Sequence, residues 1–468
     1  MKRHIRMFLR FSVGIWIRGI VSFISTPIIT YLISPEEFGK SSMFSVAFGI
    51  VSSLSSLSLE HSLLRFYKEY EKEETNKLLW GCLIPGLFFT TIFSLLFLLF
   101  GDSLGNLLYG ENNGLVTAVF LLTLYASLFQ RFNQFSVLAS GNGVLYSFIE
   151  VVNAIVTTAS IIVFSVIFKG KFYSIVLGNL LGIFSALVTG TLNTSISWKP
   201  IKVERKDIRK LLLYALPLVP TQIVHWLFTS IDRISLRQFN TLSEIGLYSV
   251  AFKIIGIINL VQTGFSTYWI SLAYERYYND PNQGDFFRKA HDMSSFIMTS
   301  FALVVLLFKD IIFFILDKSY RESSSIAPFL VFMPIMFAIS ETTVVGINFA
   351  KKTYLHVVIS SVCAGANFLG NYILVPLYGA KGAALSTGMS YVLYYFMRTI
   401  VAEHVYPVRF EKKRITLSIT VLTMVAFSGT FSQSFIRNLL IASLGLILNT
   451  MIYKNEFKKI ITNIIRTE

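Results

Sequence analysis

Charge is scarce in this chain. Only 14% of its 468 residues are Asp, Glu, Lys or Arg, whereas 54% are hydrophobic. A water-soluble domain devotes about a quarter of its residues to charge, so the polar shell of a soluble fold is excluded. Cysteine is nearly absent: Cys82 and Cys363 lie singly inside apolar runs, which excludes a disulfide framework or a C-x-x-C metal site and leaves packing as their role. Long polar segments are missing too, so a membrane glycosyltransferase or polymerase with its catalytic groups in a watery domain is disfavoured. The chain has no Walker motif, G-x-G-x-x-G, H-E-x-x-H or nucleophile elbow. ATP-driven pumping by this chain alone is therefore disfavoured, and no cofactor or metal is called for.

What charge there is has one dominant sign. The net charge is +15, but Lys and Arg do not gather on one face or arm as in nucleic-acid binders. They fall in the short gaps between apolar runs, dense and sparse gaps alternating. This is the positive-inside pattern, and it excludes nucleic acid as a partner.

The apolar runs themselves are the main signal. A helix needs about 20 mostly apolar residues to cross hydrocarbon, and such runs occur at 8–33, 41–64, 78–100, 114–138, 144–168, 173–195, 211–236 and 246–270. Six more follow at 292–316, 326–349, 355–376, 382–400, 414–433 and 438–453. The expectation is an all-α, polytopic membrane protein with about fourteen crossings. Its basic start is like a signal peptide, but Arg18 interrupts the apolar stretch and no small-residue cleavage site follows, so the first helix is expected to be retained. Placing the N-terminus in the cytoplasm puts Arg65, Lys68, Lys72, Lys77, the loop WKPIKVERKDIRK and the basic tail inside. Basic residues then outnumber those outside by about three to one, which predicts a bacterial inner-membrane protein with both termini cytoplasmic.

The basic loop 196–210 follows the sixth run and divides 1–195 from 211–400, six crossings each, with two further helices and a tail in 401–468. An internal echo supports duplication: PEEFGKSSMFSVAFG starts at 35 and LSEIGLYSVAFKIIG at 242, so that Glu37 matches Glu244, Gly39 matches Gly246, Ser42 matches Ser249 and Gly49 matches Gly256. An even number of crossings per half makes these parallel repeats about an axis along the membrane normal.

Ionisable groups inside crossings cost at least about 3 kcal/mol at the bilayer centre and are functional candidates by default. The cations are Arg18, Arg131, His225, Arg233, Lys253 and Arg398, drawn from both halves. If they face a cleft, as avoidance of lipid requires, they make a cationic cavity suited to phosphate oxygens. The carboxylates are Glu60, Glu150, Asp232 and Glu341, candidates for ion coupling by H+ or Na+. Structural readings stand beside these. Arg398 lies near a helix end and has a snorkelling alternative. Asp232 and Arg233 point to different helix faces, and one is a candidate structural tie. His225 reads more readily as a packed helix residue than as a proton carrier, and Glu60 with His61 as a solvated pair near the inner interface. The acidic turn at SPEEFG reads as a solvated helix cap, and the 43 Phe as lipid-facing bulk. Pro27, Pro85, Pro217, Pro220, Pro334 and Pro376 mark candidate hinges.

Three stretches carry a family resemblance: TPIITYLISPEEFGKSSMF with LEHSLLRFYKEY, YALPLVPTQIVHWLFTSIDRISLRQFNTLSEIGLYSVAFKI, and NYILVPLYGAKGAALSTGMSYVL. Together they resemble the Wzx-type O-antigen and polysaccharide repeat-unit flippases of the multidrug/oligosaccharidyl-lipid/polysaccharide exporter superfamily. The middle stretch, with Asp232-Arg233 and Gly246-Leu247-Tyr248, is the most specific. The resemblance covers most of the chain and implies two six-helix lobes around a central cavity plus two C-terminal helices. It also implies an undecaprenyl-pyrophosphate-linked oligosaccharide as substrate, moved between leaflets by alternating access, with membrane lipids and the polysaccharide polymerase machinery as partners. A lipid II flippase and a cation-coupled drug exporter of the same superfamily are the alternatives.

Overall fold

Hydrocarbon offers no water to backbone N–H and C=O groups, so an apolar run crosses it as a helix that satisfies them internally. The computed structural model describes residues 2–71, 74–111, 114–194, 196–280, 284–406, 408–432 and 434–467, and every regular element among them is helical. Lys72, one of the orienting basic residues, lies outside the described residues, as do the run ends expected at 195 and 433.

The first of two units comprises the residues up to Arg237 together with Thr241–Gly246. It holds α1 (Lys2–Leu32), α2 (Pro35–Ser56), α3 (Leu59–Phe66), α4 (Thr75–Tyr109), α5 (Gly114–Ala139), α6 (Gly143–Ile167), α7 (Tyr173–Leu192), α8 (Arg205–Ala215) and all but the last two residues of α9 (Val219–Phe239). The basic segment does not end this unit. Leu211 and Ala215 of α8 are buried among Leu63, Leu78, Cys82 and Phe132, and the Ser62 hydroxyl donates to the Leu211 carbonyl at 2.8 Å. Pro217 stands inside a 3-10 turn, Leu216–Leu218, that separates α8 from α9, and Pro220 lies in the first turn of α9.

The second unit comprises Gln238–Asn240 and the chain from Leu247 onward. It takes most of α10 (Leu242–Ile255), then α11 (Ile257–Asn279), α12 (Gly284–Phe314), α13 (Ser323–Leu330), α14 (Phe332–Phe349), α15 (Tyr354–Val405), α16 (Lys412–Phe431), α17 (Phe435–Ile452) and α18 (Lys454–Thr467). α15 is continuous only in name. Fifty-two straight helical residues would span ~78 Å, against a hydrocarbon core of about 30 Å. At Gly379 the backbone takes φ 56°, ψ −134°, a region closed to side-chain-bearing residues. The chain folds back there, so that Ser386 donates to the Asn367 carbonyl at 2.9 Å and a Cβ on Gly370 would lie 2.4 Å from Ser386 Oγ. The runs expected at 355–376 and 382–400 are its two arms.

Among the described residues eleven helical segments are long and apolar enough to cross a membrane, or thirteen when two bent pairs each count as one crossing. The bent pairs are Pro35–Ser56 with Leu59–Glu69, at 47°, and Leu242–Ile255 with Ile258–Asn279, at 44°. They carry the two echo segments, so corresponding crossings are broken in both halves of the sequence. Broken crossings in corresponding places are a feature of transporter binding sites. Apolar side chains such as Leu99, Leu192 and Ile436 project outward, as lipid contact demands. Phenylalanine serves both surfaces, contrary to the lipid-facing expectation: Phe88 and Phe314 are exposed, but Phe120, Phe132, Phe172 and Phe329 are fully buried. Cys82 and Cys363 are buried free thiols, as packing residues should be.

Candidate functional site

The bend in the first broken crossing is made without glycine or proline. Leu57 (φ 50°) and Ser58 (φ 60°) both adopt left-handed backbone, and both are buried. A left-handed non-glycine residue costs of order 1 kcal/mol, and such strain concentrates at functional sites. The bend starts α3 afresh inside the unit, with Glu60 in its first turn, where the helix N-terminus favours a carboxylate.

Arg131 of α5 meets that carboxylate. Its Nη1 donates to Glu60 Oε1 at 3.2 Å and to Ser56 Oγ at 3.1 Å, while Nη2 donates to Ser52 Oγ at 3.1 Å. Gln222 of α9 donates from Nε2 to the same Glu60 oxygen at 3.3 Å. The second oxygen, Oε2, is buried and has no hydrogen-bond partner. Glu60 is therefore not solvated but 4% exposed, whereas Arg131 stays 27% exposed. A cavity of about 280 Å³ opens beside them, lined by Arg131, Ser52, Gln222, His225, Trp226 and Thr229. His225 is exposed along this lining, so the cavity brings together two of the expected substrate-binding residues. Trp226 is fixed by donating to the Val46 carbonyl at 3.1 Å.

Two of the other expected cations are paired in the same way. Arg18 donates to Glu150 at 2.8 Å, and Gln134, itself held by Gln130 at 2.6 Å, donates to the other Glu150 oxygen. Arg18 remains 58% exposed while Glu150 is 7% exposed. In the second unit Arg398 meets Glu341 at 2.8 Å, donates to Ser340 Oγ at 2.6 Å and lies over the rings of Phe337 and Tyr394. Both members of this pair are buried, which removes snorkelling as an account of Arg398.

Arginines expected to bind substrate and glutamates expected to couple ions are thus each other's partners. A lone charge in low dielectric is far costlier than a paired one, and these three pairs carry no net charge. Asp232 is buried and Arg233 half-buried on α9. Lys253 closes α10 and makes no ion pair among the described residues. His61 packs edge-on to Phe135.

A second network joins three loops of the first unit, at the end expected outside. Lys40 meets Glu37 at 2.9 Å and also Glu111. Glu37 accepts from the Phe172 backbone N–H at 2.8 Å, and Glu111 accepts from the Tyr173 hydroxyl at 2.7 Å. Ser34 and Pro35 do begin α2 as a cap. Glu37, however, is a buried tie rather than the solvated cap the sequence suggests. Burial alone would raise the Glu111 carboxyl, but the bonds from Lys40 and Tyr173 outweigh it and hold it below the usual range.

Two polar clusters escape sequence reasoning. Lys309 of α12 is buried against Asp310 at 2.6 Å, although both stand inside an expected crossing and so were visible as intramembrane charges. His291, fully buried, bonds to the Tyr395 hydroxyl at 2.9 Å; nothing in its sequence surroundings marks it. The echo segments meet as well. A Cβ on Gly39 would lie 1.8 Å from the Leu242 carbonyl oxygen, and one on Gly246 would lie 1.9 Å from that of Pro35. Glycine at both matched positions permits this reciprocal backbone approach.

A family profile described as "Polysaccharide biosynthesis protein" matches residues 8–270. A search of curated proteins returns no match. Among solved structures the chain is similar to the lipid II flippase MurJ in an inward closed conformation, with TM-score 0.71 and 15% identity over 95% of this chain and 99% of that one. It is also similar to a multidrug resistance MATE transporter of the MOP superfamily in an inward-facing conformation, at TM-score 0.52 and 13% identity, covering 89% and 96% of the two chains. A Vibrio cholerae MATE transporter matches at TM-score 0.52 and 14% identity, over 86% of this chain and 96% of its own. At such identities the likeness is one of fold.

Proposed function

Because this chain belongs to the polysaccharide biosynthesis protein family, we propose that it moves an undecaprenyl-pyrophosphate-linked oligosaccharide repeat unit from the cytoplasmic to the periplasmic leaflet of the bacterial inner membrane. The repeat unit feeds O-antigen or another surface polysaccharide, and movement is by alternating access. The observation that carries this reading is the part-exposed Arg131–Glu60 pair beside a cavity lined by hydroxyl, amide and indole groups. A guanidinium fork is matched to phosphate oxygens. An entering pyrophosphate competes with Glu60 for it, while Ser52, Gln222 and Thr229 offer donors and acceptors to sugar hydroxyls. Arg18, exposed and tied to Glu150, offers the same exchange elsewhere on the first unit. The displaced carboxylate then needs a cation, which couples anion entry to uptake of H+ or Na+ at Glu60 or Glu150. Arg233 and Lys253 are further candidates for substrate contact, and Asp232 for the cation. The sealed Arg398–Glu341 pair is a tie between α14 and α15.

The test is deletion in the native host. Surface polysaccharide should vanish while lipid-linked repeat units accumulate on the cytoplasmic side, and the wild-type gene should restore export. Persistence of the polymer would remove the substrate assignment. A second reading, transport of lipid II, draws support from the closer shape match to MurJ than to the MATE transporters. It predicts instead that depletion stops peptidoglycan growth and lyses the cell.

A further inference from the structure

The last helix, α18, plays no part in the site above. It begins after Tyr453 leaves the helical region (φ −109°, ψ 37°). Its near end is fixed by Glu456, buried and 3.6 Å from Arg414 of α16, and by Phe457, packed on Phe296 of α12. Along α18 the sequence repeats apolar residues at 457, 460, 461, 464 and 465, with Lys458 and Lys459 between them and Arg466 after them. That spacing describes an amphipathic helix lying in a membrane interface. By the charge asymmetry of the chain the interface is the cytoplasmic one.

A groove of about 530 Å³ lies where α17 passes into α18, lined by Thr450, Met451, Lys454, Phe457, Lys458 and Thr462. Lys454, Lys458 and Thr462 recur every four residues along one face of α18, and Thr450 at the end of α17 lines the same groove, so that two ammonium groups lie between two hydroxyls. Met451 and Phe457, both exposed, form the apolar lip. An outward apolar stripe of α17, running through Ile436, Leu440, Leu444 and Ile447, leads directly to it. Cations and hydroxyls at the water level, continuous with an apolar track at acyl depth, match one kind of molecule.

We propose that this groove binds an anionic glycerophospholipid of the cytoplasmic leaflet, its phosphate on Lys454 and Lys458 and its acyl chains along α17. The site anchors the C-terminal end of the protein to the membrane surface and is independent of the transported substrate.

The free thiols Cys82 and Cys363 are buried, so a Met451→Cys variant of the full chain accepts an environment-sensitive fluorophore at the groove lip alone. Reconstituted with bromine-labelled lipids, it should be quenched by phosphatidylglycerol at about tenfold lower mole fraction than by phosphatidylcholine, in line with the pull of two surface lysines on an anionic headgroup. Lys454→Gln with Lys458→Gln should abolish that preference, whereas Lys199→Gln, at an exposed lysine in the 196–210 segment, should leave it intact. Equal quenching by both lipids, or a preference that survives the double substitution, overturns the proposal. So does relief of quenching by millimolar inorganic phosphate, which would make the groove a site for free phosphate.

Discussion

Each unit contains an arginine held by a glutamate within the membrane-crossing helices, and the two pairs differ in their surroundings. Arg398 and Glu341 are closed in by Ser340, Phe337 and Tyr394, with 6% and 8% of their side chains exposed. Arg131 and Glu60 stand at a strained helix bend, with a cavity beside them and one carboxylate oxygen left without a partner. Identical ionic chemistry therefore serves two ends. Where the dielectric is low and nothing can enter, a pair fixes two helices together. Where one member remains reachable, the proposed function has the pair exchange its partner for an incoming anion.

The comparison breaks first on stability. Glu341→Gln leaves Arg398 buried without a countercharge and should cost about 3–5 kcal/mol, read as a large fall in melting temperature and in folded yield from membranes. Replacing both members, Arg398→Met with Glu341→Leu, should recover most of that loss, because a buried pair rarely outperforms well-packed apolar groups. A double variant as unstable as the single one would show that the pair does more than tie helices. Removing the partly exposed partner instead, Arg131→Gln, also strips a buried carboxylate of its countercharge, but Glu60 lies beside an open cavity, so the loss in the same melting assay should be smaller than for Glu341→Gln, about 2–3 kcal/mol.

The smallest effect concerns the network outside the site. Glu111 is held below the ordinary carboxylate range in the folded protein, so its contribution to stability is complete above the unfolded value. It is lost as pH falls through the folded value. Melting temperature should therefore decline on the acid side of the ordinary Glu range, and Glu111→Gln should flatten that decline slightly. An unchanged acid limb would remove Glu111 from the account.

Much of the fold was legible because the bilayer imposes so simple a rule. Apolar runs of crossing length became helices, and prolines at 217 and 220 marked a real break. The echo at offset 207 located two segments that meet through glycines at matched positions. The bend at Leu57–Ser58 was hidden, because SSLSSLSLEH contains neither of the residues that usually announce left-handed backbone. The charges were legible as a list but not as pairs. Arg131 and Glu60 lie 71 residues apart, and Arg18 and Glu150 lie 132 apart, distances over which only tertiary packing chooses partners. Glu37 misled for a related reason: an acidic first turn after Ser-Pro reads as a solvated cap until a backbone N–H 135 residues away is seen to use it.

The most direct test of the open-versus-sealed distinction is export measured per folded molecule. Arg131→Gln and the Arg398→Met, Glu341→Leu double variant would be expressed in the deletion host at matched membrane levels, with surface polymer and lipid-linked intermediates quantified together. The account predicts at least about a tenfold loss of export for Arg131→Gln, the size of one charge-assisted contact, with intermediates accumulating, and near-normal export for the double variant. Normal export by Arg131→Gln, or loss of export in the double variant alone, would contradict it.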